Sequence, residues 1–397
     1  MVVLAGVFVL LYLWFTLFPG RAAPGAGCYF SAEQINKGRQ YNQVLRLMFI
    51  GSFTVQVVLL LWLVFGSRAT ALSVLAQRLT GGNYWGSVIV FSFILWLLLR
   101  LVNFPFKLYS GYFWQHRWGL STQTLGGWWL DYFKGAGIDL LLSTAGVLVL
   151  FWVMTRWPGT WWLTGAFFFS ALLVIHTFIW RVAVSPFFNR FVPVKDPAVL
   201  NMVYTLTEKA GLQIDRVLIM DASRRTTKAN AYVAGLGRTK RIVLYDTLVE
   251  KYPPDRVKAV LAHEIAHWHR KHIIRWLVWG ITGTVILSGM LFVLLQLTIS
   301  VRPYPPQTWA VVLLFGLLVY FVSSPLQNRV SRGIEKEADR FAVMLTGDIP
   351  AAVGLQVDIA VRNLSDVSPP AFIRWFSYSH PPVIDRIEII REAGKQS

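Results

Sequence analysis

The stretch "LAHEIAHWHRKH", residues 261–272, holds four of the chain's seven histidines. On an α-helix, His263 and His267 lie four residues apart and project from one face, about 40° apart. Two imidazoles at that spacing can grip one divalent ion. Glu264 points about 100° away from His263, so its carboxylate can reach a water at the ion without being a ligand itself. That is the mechanical content of H-E-x-x-H. His269 and His272 fall about 240° and 180° from His263 on the same wheel. They read as polar residues near a helix end at a membrane surface, outside the site.

A catalytic site of this type needs a third protein ligand and an open coordination position. The segment "SRGIEKEADRFAVML", 331–345, offers one. It reads as a helix in which Glu335 precedes Asp339 by one turn. Glu335 can bind the ion, and Asp339 on the same face can orient a ligating histidine. Glu337 projects about 200° from Glu335 and reads as solvated. Taken alone, the segment would pass for an ordinary charged amphipathic helix. Its pairing with the histidine motif favours the metal reading.

The elements around these residues follow from patterning. "PPDRVKAVLAHEIAHWHRKH" opens with prolines suited to a helix start and carries Asp255 in the first turn. Val257, Val260, Leu261 and Ile265 recur at helical spacing, so the motif lies on a helix. "RVLIM" (216–220) and "RIVLY" (241–245) read as strands, and "KANAYVAGLG" (228–237) supplies a third. Ala198 to Leu212 reads as a helix closing at Gly211.

The chain is 55% apolar and only 15% charged, against about a quarter charged in a soluble domain. Runs of about 20 apolar residues are long enough to cross a bilayer. Seven such spans are expected, near 2–18, 48–66, 87–104, 138–154, 161–180, 274–299 and 307–325. The formal charge of +18 does not indicate a nucleic-acid partner, because the basic residues alternate between loops and no recognition motif accompanies them. Arg21, Lys37, Arg39 and Arg46 follow the first span, and Lys107, Arg117 and Lys134 the third. Sixteen Lys and Arg lie between Arg181 and Lys271. The opposite loops carry Arg68 and Arg78, then Arg156, then Arg302. This asymmetry sets the N-terminus outside and the C-terminus in the cytoplasm. The lone Cys28 excludes an internal disulfide framework. A first span without a basic leading region, with Gly25 upstream of the cysteine, argues for an uncleaved first helix over a lipidated leader.

Four parts result: a five-helix membrane segment (1–181), a water-facing region with a small sheet and the H-E-x-x-H helix (182–272), a membrane hairpin turning at "VRPYPP" (273–325), and a polar C-terminal region with the third ligand (326–397). Two crossings separate the polar parts, so both face the same side of the membrane.

"HEIAH" followed by "SRGIEKEADRFA" resembles the type I CAAX prenyl endopeptidases, integral-membrane zinc metalloproteases. "HRWGLSTQ" (116–123), "SPFFNRFVPVKD" (185–196), "SRRTTKANAYVAGLGRTKRIVLYDTL" (223–248), "RNLSDVSPP" and "FSYSHPPVIDRIE" resemble further family segments in the same order. The resemblance implies one Zn2+ per chain held by His263, His267 and Glu335, with Glu264 as general base and acid and Asp339 supporting a ligand. It implies His380 and Arg386 near the metal, His380 stabilising the tetrahedral intermediate. It also implies that Asn230, Ala231 and Tyr232 line the groove holding substrate as an extended strand. The implied fold is mainly α: a polytopic membrane protein with about seven transmembrane helices enclosing a chamber, plus a small α+β zincin-type catalytic region. The chamber would give water to Arg100 and His176, which otherwise need snorkelling or a protein partner.

The expected function is a membrane zinc metalloendopeptidase cutting peptide or protein substrates near the cytoplasmic face, within a lipid bilayer. Its substrates are either prenylated C-termini or membrane proteins in general, with no prenyl requirement. A transporter or channel would show duplicated halves with broken helices, and none is seen. A catalytically silent scaffold would be expected to lose a ligand or Glu264, and all four are present. The single cysteine and the absent retention tail favour a bacterial inner membrane over endoplasmic reticulum.

Overall fold

The computed structural model describes residues 1–180, 184–235 and 240–395. The boundary expected at 181/182, Arg181 itself and the Leu236–Gly237 end of the third expected strand lie outside the described residues, as do Arg238 and Thr239.

The N-terminal half is helical: α1 (Val2–Leu17), α2 (Ala32–Phe65), α3 (Arg68–Leu79), α4 (Tyr84–Leu108), the short α5 (Trp114–Arg117), α6 (Leu125–Arg156) and α7 (Trp161–Ile179). A mixed region follows, with β1 (Phe191–Pro193), α8 (Pro197–Lys209), β2 (Arg216–Met220), β3 (Ala231–Ala234), β4 (Arg241–Tyr245), α9 (Asp246–Lys251) and α10 (Pro254–His269). The chain then forms α11 (His272–Thr298), α12 (Thr308–Thr346), α13 (Ile349–Arg362), α14 (Ala371–Ser377) and α15 (Val383–Gly394).

Six helices among the described residues are long and apolar enough to cross a membrane, not seven: α2, α4 with its continuation to Arg117, α6, α7, α11 and α12. Helix α1 is apolar but has only 16 residues. It rises about 24 Å, short of a hydrocarbon layer of about 30 Å. Its Phe8 and Tyr12 instead pack edge-on against Phe376 of α14.

The seventh expected span and the carboxylate helix are one element. Helix α12 runs 39 residues from Thr308 to Thr346, with Pro325 inside it. The boundary drawn at 325/326 therefore falls within a helix, and Glu335 and Asp339 ride on the rod that also enters the membrane. Conversely, the expected helix through 272 breaks after His269. Lys271 takes a left-handed backbone conformation (φ 54°, ψ 36°), and α11 restarts at His272.

The sheet order is β1-β2-β4-β3, with β2 and β4 parallel and β3 antiparallel to β4. Strands β2 and β4 coincide with "RVLIM" and "RIVLY". Val233 and Leu244 of the sheet, Val203 and Leu206 of α8, and Leu261 and Ile265 of α10 bury their side chains in one core. Burial of each such side chain contributes about 1.5–3 kcal/mol, and this core fixes α10 from one side. The loop after α5 is joined to the sheet region by a bridge between Ser121 and Thr226, and α6 by a two-pronged ion pair from Arg225 to Asp131.

A cavity of about 670 Å³ lies between α2, α4, α6 and α12. Arg100 lines it and has a protein partner, donating to Asp139 at 2.6 Å, while Trp96 donates to the same oxygen at 2.9 Å. His176 sits against the ring of Trp180, with centroids 4.8 Å apart.

The C-terminal region is anchored to α2. Arg46 pairs with Asp366 at 2.5 Å, both side chains buried, and Tyr378 joins them. Gly38 allows the close approach: a Cβ there would meet the Ser365 carbonyl at 2.3 Å. Removing one member of a buried ion pair costs about 3–5 kcal/mol, because the other charge is stranded. Asp366→Ala should accordingly lower the thermal midpoint of the purified protein by several degrees, and an unchanged midpoint would refute this role for the pair.

Candidate active site

Helix α10 starts with Pro254 in its first turn, where the missing N–H costs nothing. Its apolar face is buried against the sheet and α12, so His263 and His267 project from the flank that meets α12. There α12 presents Glu335 and Asp339, both buried. One crossing of two helices thus assembles the cluster.

The distances are tight. His263 Nε2 lies 3.2 Å from His267 Nε2 and 3.2 Å from Glu335 Oε2, and His267 Nε2 lies 3.7 Å from Glu335 Oε1. Ligand atoms about 2.0–2.1 Å from a tetrahedral ion stand about 3.3 Å apart. The three side chains therefore fit a single small cation. Glu335 Oε2 is buried without a well-formed hydrogen bond, and the groups facing it are His263 Nε2 at 3.2 Å and His380 Nε2 at 3.4 Å; a carboxylate oxygen so placed needs positive charge beside it.

The outer contacts fix which nitrogens face inward. His263 Nδ1 is 2.9 Å from Asp339 Oδ1, so Nδ1–H donates there and Nε2 turns its lone pair to the site. Asp339 also accepts two bonds from Arg386, at 2.8 Å from Nε and 2.6 Å from Nη2. Arg386 Nη2 comes within 3.5 Å of His263 Nδ1. Its guanidinium is thus committed to Asp339. Arg386, expected near the metal, lies beside the cluster and holds the acceptor of a ligand candidate.

Two inward lone pairs 3.2 Å apart repel unless a cation or proton sits between them. Burial disfavours a charged His263, but the hydrogen bond to Asp339 and the Glu335 carboxylate outweigh it and hold its pKa up at about 10. Burial, then the neighbouring His263, pushes His267 down to about 3. His263 is thus the ring favoured to carry a proton and His267 the neutral one, and a divalent ion taking this place must displace that proton.

His380, on the loop between α14 and α15, brings Nε2 to 3.4 Å from Glu335 Oε2. Its side chain stays 59% exposed, so it borders the cluster from the open side. Arg332 of α12 fixes the loop by donating to the Tyr378 carbonyl at 2.6 Å and the Arg374 carbonyl at 3.0 Å. Glu264 is half-buried beside the histidines. Ala231 and Tyr232 begin β3, the last strand in the sheet order, which packs against α10. Asn230 precedes it, its carbonyl accepting from Tyr245 N at 3.0 Å.

Two sequence-based readings fail here. His272 is not on the back of the α10 wheel, because the helix has ended. It is 1% exposed, and its Nδ1 lies 2.9 Å from His267 Nδ1. Glu337 is not simply solvated: it pairs with Arg275 at 2.6 Å and lies 3.4 Å from His272. His269 does stay outside the cluster, stacked on Phe341.

The signature of peptidase family M48 matches residues 193–393. The signature described as "CAAX prenyl protease N-terminal, five membrane helices" matches residues 25–190. The chain is similar to an uncharacterized metalloprotease, YhfN, of Bacillus subtilis, with 31% identity across 75% of this chain and 72% of that one. It is similar to a CAAX prenyl protease 1 homolog of Arabidopsis thaliana, with 31% identity and the same two coverages. CAAX prenyl protease 1 of Saccharomyces cerevisiae is 27% identical over 73% of this chain and 69% of its own. In fold, the crystal structure of Ste24p from S. mikatae matches with a TM-score of 0.85, covering 98% of this chain and 97% of that one at 22% identity.

The His263 proton gives a calorimetric prediction. Divalent-ion binding to the metal-depleted protein at pH 7 should release about one proton per site, because the raised His263 pKa keeps it protonated there. Affinity should therefore climb about tenfold per pH unit toward 10. Binding enthalpies that do not vary with the ionisation heat of the buffer would contradict this.

Proposed function

The chain belongs to peptidase family M48 and is a multi-pass membrane metalloprotease, and on that premise we propose that it is a zinc endopeptidase of the CAAX prenyl protease type working at the cytoplasmic membrane face. The observation that carries this reading is the three-point cluster of His263, His267 and Glu335, whose ligand atoms lie within 4.8 Å of one another.

Those three residues would hold one Zn2+ per chain, which when bound supplies a Lewis acid that polarises the scissile carbonyl and acidifies a water. Two nitrogens and a carboxylate oxygen form the donor set found in hydrolytic zinc sites. Glu264 takes the proton from the attacking water and returns it to the leaving amine. It does not need to be a ligand, because its place on α10 sets it one residue along from His263. His380 Nε2, at the open side of the cluster, donates to the oxygen that gains charge as the carbonyl becomes tetrahedral. Arg386 and Asp339 act on His263, holding its ring in one orientation and one tautomer.

Asn230, Ala231 and Tyr232 are read as the rim that takes substrate in extended form. Support comes from the placement of β3 at the end of the sheet and directly against the helix bearing the catalytic histidines. A peptide bound through its main chain is accepted with limited regard to its side chains. The substrate class proposed is a protein C-terminus carrying a prenyl group, as the names of the Arabidopsis and yeast relatives indicate for those proteins. The asymmetry of Lys and Arg supports a cytoplasmic C-terminus and an N-terminus outside. The chain is read as four working parts: membrane segment 1–181, catalytic region 182–272, hairpin 273–325 and catalytic region 326–397, the last two sharing the continuous helix α12. A bacterial inner membrane is the proposed location. The transporter reading is not favoured, since the relatives are proteases.

Glu264→Gln should retain about one zinc per chain while lowering peptide cleavage about 10²–10⁴-fold, the usual contribution of a positioned general base. His267→Ala should lose both metal and activity. Atomic absorption beside a peptide-hydrolysis assay measures the two together. A wild-type chain that neither contains zinc nor takes it up would sink the reading. Running farnesylated and unmodified peptides side by side decides the substrate class, equal rates favouring a protease with no prenyl requirement.

A further inference from the structure

We propose that His272 is the positioning residue for the ligand His267, and that it ties this ligand to the membrane-spanning helix α11. The inference rests on the metal reading above and extends it to residues which that reading does not use.

His272 is the first residue of α11 and is fully buried. Its Nδ1 lies 2.9 Å from His267 Nδ1, and its Nε2 lies 3.4 Å from Glu337 Oε2. Only one proton assignment leaves His267 Nε2 free to face a cation. His267 Nδ1–H donates to His272 Nδ1, and His272 Nε2–H donates to Glu337. In the reverse assignment His272 donates, and the proton of a neutral His267 moves to Nε2, which closes that atom to metal. Glu337 enforces the useful direction by demanding a donor on the far side of His272. Glu337 is itself held by Arg275, at 2.6 Å and 3.4 Å, with Arg270 Nε at 3.6 Å.

The backbone is built to make this contact. A continuous helix would carry residue 272 to the opposite side of α10 from His263. The left-handed Lys271 turns the chain so that His272 comes back beneath His267. A non-glycine residue in that conformation costs about 1–2 kcal/mol, which favours a positive reason for the turn. Arg275 lies one turn further along α11, so the series His267, His272, Glu337, Arg275 runs from the cluster to the membrane helix. The two ligand candidates are therefore supported differently, His263 by a carboxylate and His267 by a neutral imidazole.

The test is the zinc dissociation constant of the full-length, detergent-solubilised chain, measured by competition with a chromophoric chelator after metal removal. His272→Ala should weaken zinc binding about 10–100-fold, the usual effect of losing a ligand's outer partner. His272→Asn keeps an acceptor where Nδ1 stood and should recover most of that loss. A residue serving packing alone would not separate these two variants. Glu337→Ala, at a partly exposed position, removes the acceptor facing His272 Nε2, should weaken binding severalfold and gives the answer if His272→Ala does not fold. Wild-type affinity in His272→Ala or in Glu337→Ala, or an Asn variant as weak as the Ala variant, would overturn the proposal. A wild-type chain that takes up no zinc is a separate result: it removes the metal reading itself.

Discussion

Two imidazole nitrogens and a carboxylate oxygen converge to a few ångströms at one crossing of α10 and α12. Stripped of any cation or proton they are a poor arrangement: lone pairs face each other, and a buried carboxylate oxygen lacks a well-formed hydrogen bond. Only a positive charge at their centre relieves it. Much of the surrounding structure can be understood as holding these atoms where they would not otherwise stay.

That holding comes from three directions. The sheet and α8 form the core under α10 and fix its axis and rotation. Helix α12 is continuous from the membrane to Thr346, so Glu335 and Asp339 cannot move independently of the span below them. The C-terminal helix α15 adds Arg386 from outside, and the loop before it, pinned by Arg332, sets His380 at the rim. The buried pair of Arg46 with Asp366 fastens this C-terminal layer to α2. Membrane and water-facing parts therefore meet through rigid elements, as a site needing sub-ångström placement requires. On the membrane side, a cavity with Arg100 and Asp139 on its wall lies between α2, α4, α6 and α12, two of which also hold the site.

Much of this was legible in the sequence, for identifiable reasons. The spacing of His263 and His267 carries its geometry on any helix, and the β-branched runs at 216–220 and 241–245 stand as the strands they suggested. The family was legible because several motifs recur in order. What escaped was decided by contacts. "HWHRKH" contains neither glycine nor proline, so nothing local marks the break at Lys271, and a wheel extended through it sends His272 the wrong way. The seventh expected span ends at 325, where the apolar run stops, yet α12 passes through Pro325 to Thr346. Glu337 looked solvated because its partners, Arg270 at the end of α10 and His272 and Arg275 of α11, come together only in the folded chain. Arg386 lay near the cluster, as the resemblance implied, but its direction toward Asp339 could not be read from "SHPPVIDR".

The central claim is that one zinc ion is held by His263, His267 and Glu335, with a coordination position open to solvent. X-ray absorption at the zinc edge of the purified chain tests it most directly. The account predicts a shell of nitrogen and oxygen donors at about 2.0–2.1 Å, with outer scattering from two imidazole rings. A shell containing sulfur, or one with no imidazole scattering, would contradict it.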